Sequence, residues 1–134
     1  MLEENEIAKE VVDAAFKVHT KLGTGLLESV YESVLAHELQ NRNRRVQRQV
    51  PVPVHYEGLQ LEEGFRADIL VDDAVILELK SVEHMTPVHP KQLLTYLRLT
   101  GMRPGLLINV GETRIKDGIQ RIVNGLPDDP DYRR

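Results

Sequence analysis

Between Leu39 and Val46 the spacing of apolar residues changes period, and this divides the chain into a helical part and a strand part. Before the change, Ile7, Val11, Val12, Ala15, Val18 and Leu22 recur every three or four residues, predicting a helix from Glu6 to Leu22 stopped by Gly23. Leu27, Val30, Tyr31, Val34, Leu35 and Leu39 repeat that pattern after the Gly23-Thr24-Gly25 turn, up to a polar break at residues 41–43. After the change, valines at 46, 50, 52 and 54 alternate with other residues, and Pro51 and Pro53 lie among them. Proline gives no N–H to a ladder, so Val46–Tyr56 is expected to be an edge strand. Glu57-Gly58 reads as a turn, and Leu59–Glu63, Arg66–Val71 and Ala74–Val82 read as successive antiparallel strands, the last two joined at Asp72-Asp73.

Pro90 suits the first residue of a third helix running to about Thr100, with Gly101 after it. Gly105–Val110 is a short, continuously apolar strand, and a late strand or helix reaches Val123 before a frayed tail. The order α-α-β-β-β-α-β belongs to the α/β (α+β) class, and the helix between two strands implies a mixed sheet covered by helices. At 134 residues and 41% hydrophobic content, the chain is expected to form one domain over residues 1–134. Without cysteine it has no disulfide, no thiol nucleophile and no cysteine-based zinc site. The N-terminus is acidic, and no apolar run nears the roughly 18 residues of a spanning helix, so a cytoplasmic protein with no membrane partner is expected.

Four polar clusters carry candidate chemistry. Glu78 and Lys80 alternate with the apolar Leu77 and Leu79, so they share one strand face. With Asp68 on the neighbouring strand they form a hard-oxygen site for Mg²⁺, with an ammonium beside it to orient a water. A two-residue turn at Asp72-Asp73 would set Asp68 opposite Leu77; the pairing of Asp68 with Glu78 needs a three-residue connection through Ala74, or a bulge. An exposed Glu/Lys pair on a sheet face is the plainer reading. On the second helix, Glu28 falls between Leu35 and Leu39 on the wheel, inside the apolar arc. A carboxylate there needs a partner, which makes it a candidate third acidic metal ligand. Glu38 maps to the same arc but lies near the helix end, within reach of solvent, and Tyr31 reads as a core or supporting residue. Gln92 and Tyr96 stand one turn apart on the third helix, fit either to hold a phosphate or to form an ordinary polar face. His89 caps that helix or touches substrate. Arg66, two residues before Asp68, is a candidate to bind phosphate or to neutralise Asp68. Phosphate loops, catalytic-serine contexts and zinc-ligand histidine spacings are missing from the sequence.

The ordered set Gly25-x-x-Glu28-x-x-Tyr31, Arg66-Ala67-Asp68, Glu78-Leu79-Lys80 and Gln92-Leu93-Leu94-Thr95-Tyr96-Leu97 resembles the bacterial and archaeal GxxExxY proteins of the PD-(D/E)xK nuclease superfamily. The resemblance runs from about Ile7 to Val123. It implies a restriction-endonuclease-like αβββαβ core with an extra N-terminal helix. It also implies that Asp68 and Glu78 are metal ligands, Lys80 the catalytic lysine, and Glu28 the helical acid seen in RecB-like exonucleases. Gln92 and Tyr96 look like the Q-x-x-x-Y motif of those enzymes, and the Leu79 carbonyl would be a further metal ligand. Ala67 stands where the superfamily name has proline.

The expected activity is therefore Mg²⁺- or Mn²⁺-dependent hydrolysis of nucleic acid, DNA foremost. Asp68, Glu78, Lys80, Gln92 and Tyr96 would act in catalysis, and Arg66, Gln92 and Tyr96 would hold substrate. The alternative is a binding module of the same fold that does not cut. A net charge of −4 runs against phosphate binding, an objection softened by the basic segment Arg42, Arg44, Arg45 and Arg48. So small a core has little surface with which to grip DNA, which speaks for the binding module and for help from a homo-oligomer or another partner.

Overall fold

The computed structural model describes residues 2–125. Helix α1 spans Leu2–Leu22 and α2 spans Glu28–Asn41; the strands β1 (Val46–Tyr56), β2 (Leu59–Val71) and β3 (Val75–Lys80) follow. Helix α3 (Val88–Thr100), β4 (Pro104–Asn109), the single turn α4 (Ile115–Gly118) and β5 (Ile119–Val123) complete the order. The strands form one sheet in the order β1-β2-β3-β4-β5. Only the β3–β4 pair is parallel, and α3 is the crossover that makes it so.

Alternation along β3 sorts the core into two layers. Val75, Leu77 and Leu79 meet Ile7, Val11, Val18 and Leu35 from α1 and α2 on one face. Ile76 turns to the other, where Leu93 and Leu97 of α3 pack with Leu70 and Leu107. Each such fully buried Leu or Ile stabilises the fold by roughly 1.5–3 kcal/mol through the apolar surface it removes from water. The run Pro104–Asn109 is buried throughout, as a central strand covered on both sides must be. Gly23 and Gly101 end α1 and α3 with φ of 71° and 75°, a left-handed cap that glycine adopts without a Cβ clash.

Several boundaries differ from the sequence reading, among them β4, which runs one residue earlier than Gly105–Val110 at each end. The two strands expected over Leu59–Glu63 and Arg66–Val71 are one 13-residue strand. It stays continuous because β1 pairs along its whole length, from Val46↔Val71 to Tyr56↔Leu59, and a bulge between Val52 and Val54 absorbs the extra residues near Gly64. Helix α3 begins at Val88, not Pro90; a proline in the first turn costs nothing because the N–H there has no helical partner. Helix α1 begins at Leu2, and β3 stops at Lys80. The late element is a strand after one helical turn, and most of the expected frayed tail lies outside the described residues.

The basic segment does not form a free phosphate-binding patch. Arg42 pairs with Glu38 and Asp13, both at 2.9 Å; Arg44 with Glu10 at 2.5 Å and Asp72 at 3.0 Å; Arg45 with Asp73; and Arg48 with Glu32 at 3.0 Å. These arginines tie the α2–β1 corner to α1 and to the β2–β3 turn.

Candidate active site where two strands part

The β2–β3 connection has three residues, Asp72, Asp73 and Ala74, because Val71 pairs with Val75. Both aspartates lie at φ 53°, the left-handed region that Asp tolerates better than most side chains. The register continues through Leu70↔Ile76 to Ile69↔Leu77, and its next step sets Asp68 opposite Glu78. This is the irregularity the sequence required.

At that level side chains take over from the backbone ladder. The Asp68 N–H donates to Glu78 Oε2 at 2.9 Å, and the Leu79 N–H donates to Asp68 Oδ2 at 2.8 Å. Separating strands leave backbone amides in need of acceptors, and two carboxylates supply them. Glu78 is 9% exposed, and burial, followed by the charge of Asp68, pushes its carboxyl up to about 8. Lys80, half-buried and two residues on, pulls the other way. Near neutral pH the pair therefore keeps a proton, and a divalent cation is the partner that would let both groups ionise. Mg²⁺ is held by as few as one or two carboxylates with waters, so Asp68 and Glu78 fit it.

Tyr96 lies beside this pair. Its ring stacks on Phe65 with centroids 3.7 Å apart and planes 6° off parallel. Burial, then the charges of Glu78 and Asp68, hold its hydroxyl in the protonated form. Gln92 is exposed one turn earlier on the same side of α3. His89 is half-buried and makes no side-chain cap to the helix.

Glu28 does not join the acids. It is the first residue of α2, it is exposed, and its Oε2 accepts the Ser81 N–H at 2.9 Å just past the end of β3. Among the described residues no three acids or histidines gather as a metal-holding group. The wheel argument misjudged Glu28 because a residue in the first turn has no preceding turn to bury it. The buried carboxylate of α2 is Glu32, 6% exposed, which accepts from Arg48 Nε at 3.0 Å and Gln49 Nε2 at 2.6 Å. Glu38 is pulled down chiefly by its hydrogen bond from Arg42. Tyr31 belongs to the α1–α2 core. Leu79 reaches the site through its N–H. Arg66 donates to Glu63 at 2.8 Å and to the Gln49 carbonyl at 3.4 Å.

A cleft of about 460 Å³ opens beside Asp68, lined by Glu28, Ser29, Glu32, Arg48, Gln49, Asp68 and Leu79. Glu32 and Gln49 are residues that sequence reasoning missed, and Arg48 it had read only as part of the basic segment. Glu32 carried a signal, since it follows Glu28 by one turn at the rim of the same arc. Gln49 carried none.

The family model described as the PD-(D/E)XK nuclease superfamily matches residues 5–122. The chain belongs to the PD-(D/E)XK nuclease superfamily. Its restriction-endonuclease-like fold is the mixed sheet flanked by helices described above. A solved structure described as "Crystal structure of SSO0001" superimposes with a TM-score of 0.42 at 16% identity, over 92% of this chain and 79% of that one. No curated protein matches the chain. No helix among the described residues is long and apolar enough to cross a membrane.

Proposed function

We propose that the chain is a metal-dependent nuclease that hydrolyses phosphodiester bonds, with DNA as the expected substrate. The observation that carries this reading is the gap between β2 and β3, where Asp68 and Glu78 face each other and Lys80 shares the Glu78 strand face. Asp68 and Glu78 would hold Mg²⁺ or Mn²⁺, with the Leu79 carbonyl beside them. When bound, the ion supplies Lewis-acid polarisation of the phosphate and a more acidic water.

The chain's own residues do the rest. Lys80 holds the attacking water and faces the charge that grows on the phosphate. Tyr96, kept protonated and braced by Phe65, donates its hydroxyl to a phosphate oxygen, and Gln92 donates beside it. Arg66 meets the substrate backbone by exchanging Glu63 for phosphate. Glu28 acts as a positioning residue, holding the Ser81 amide and so the chain just beyond Lys80.

Within the superfamily, Gly25, Glu28 and Tyr31 support assignment to the GxxExxY group. Gly25 turns the chain at φ 95°, Glu28 grips Ser81, and Tyr31 anchors the helix in the core. The internally paired arginines favour a second copy or another partner to supply grip on nucleic acid.

A non-cleaving module of the same fold is the second reading, favoured by the engagement of Glu28 with Ser81, which leaves two acids instead of three. Labelled DNA and RNA, single- and double-stranded, incubated with Mg²⁺, Mn²⁺ or EDTA decide between the two. Metal-dependent cutting by the parent and none by Asp68→Ala supports the nuclease; a folded parent that cuts nothing supports the binding module.

A further inference from the structure

We infer that Gln49 is a positioning residue for the Asp68 carboxylate, fixing its rotation so that its free lone pairs point into the gap beside Glu78. This rests on the nuclease reading and adds a residue to its machinery. Gln49 lies on β1 across from Asp68, at the level where pairing skips from Arg48↔Ile69 to Val50↔Ala67. Its φ is 51°, a left-handed conformation that costs a non-glycine residue energy and persists only where the surroundings enforce it.

The core shows how far the irregularity reaches. Val46 packs against the α1–α2 layer while Val50 and Val52 pack on the α3 side. On β2, Ile69 and Val71 face the first layer and Phe65 and Ala67 the second. A regular strand would keep each of these sets on one face, so the pleat reverses on both strands at the Gln49/Asp68 level.

The reversal aims one exposed amide at two acids. Gln49 Nε2 donates to Glu32 Oε1 at 2.6 Å and to Asp68 Oδ1 at 3.3 Å. Arg48 Nε holds the other Glu32 oxygen at 3.0 Å, which keeps the buried anchor in place. From the opposite strand the Leu79 N–H holds Asp68 Oδ2 at 2.8 Å. Each Asp68 oxygen thus has one protein donor, from β1 on one side and β3 on the other, and retains a second lone pair for another partner. The Gln49 side chain is exposed, so filling the core does not explain it.

Gln49→Gly tests the inference, because glycine adopts φ 51° freely, so the variant loses the side chain and its two hydrogen bonds without disturbing the backbone reversal. Parent and variant are compared by thermal melting, by calorimetric titration with Mg²⁺ and Mn²⁺ without nucleic acid, and by kcat and KM for cleavage. The expected variant melts within a few degrees of the parent, relief at φ 51° offsetting the donor that Glu32 loses, binds metal about 10-fold more weakly and turns over more slowly at saturating metal, with KM for nucleic acid unchanged. A variant that binds metal as tightly as a metal-binding parent overturns the positioning role alone. One that melts well below the parent also overturns it, because the side chain then serves the fold. A parent that binds neither metal overturns the nuclease reading, and this role with it.

Discussion

The backbone N–H of Asp68 rests on the carboxylate of Glu78, 2.9 Å away, at the point where their two strands cease to pair. One acid thereby helps to hold the other's strand, so the two cannot be exchanged independently without disturbing the gap.

Removal of metal should leave a pH-dependent cost in that gap. Glu78 ordinarily loses its proton near 4.5 and in the fold keeps it to about 8, because of burial and then Asp68. Between those values the folded state binds more protons than the unfolded state, so stability falls as pH rises. Thermal melts in EDTA should therefore decline from pH 5 to pH 8, and Glu78→Gln should flatten the decline. Added Mg²⁺ should restore the melting point at the alkaline end.

Lys80→Ala should lower turnover by about 10²- to 10⁴-fold while Mg²⁺ binding, read by calorimetry, stays within a few-fold of the parent. Asp68→Ala should lose both. A Lys80→Ala enzyme cutting at the parent rate would remove the lysine from the mechanism.

Tyr96→Phe separates the ring from the hydroxyl. The stack on Phe65 survives, so the melting point should move by no more than ~2 °C. If the hydroxyl donates to phosphate, kcat should still fall by about 10-fold. Equal kcat would reduce Tyr96 to a packing residue.

Arg44→Ala should act on stability, not on affinity for nucleic acid. It removes ties to Glu10 and Asp72 that are partly exposed and therefore screened, a loss of ~1 kcal/mol and a drop of roughly 4 °C in melting temperature. Binding curves at fixed salt should overlay those of the parent; clear weakening would mean that this arginine meets phosphate after all.

Much of the fold could be read from the sequence because its signals are local. The period of Ile7 to Leu22, the prolines at 51 and 53, and the turn at Asp72-Asp73 each depend on a few neighbouring residues. Counting residues across that turn showed that Asp68 meets Glu78 only if the connection takes in Ala74 or a strand bulges, and the connection does take in Ala74. What stayed hidden depends on partners far along the chain. Arg44 finds Glu10, and Arg48 finds Glu32, so a run that reads as a basic patch is spent inside the fold. Gln49 was beyond reach for another reason: its amide meets Asp68 only after the backbone reverses its pleat, and no residue type announces that reversal.

The prolines of β1 have one more effect. A strand at the rim of a sheet ordinarily offers a row of amides onto which other chains can grow, and this rim is eleven residues long. Beside it, Tyr56, Leu59 and Leu61 are all exposed near the hairpin tip. Pro51 pairs with Arg66 and Pro53 sits at the bulge between Val52 and Val54, and since proline is tolerated on an edge strand where its nitrogen faces away from the ladder, it is the outer side that lacks donors. An incoming strand would find two hydrogen bonds missing at its middle, which guards this edge against fibrous self-association.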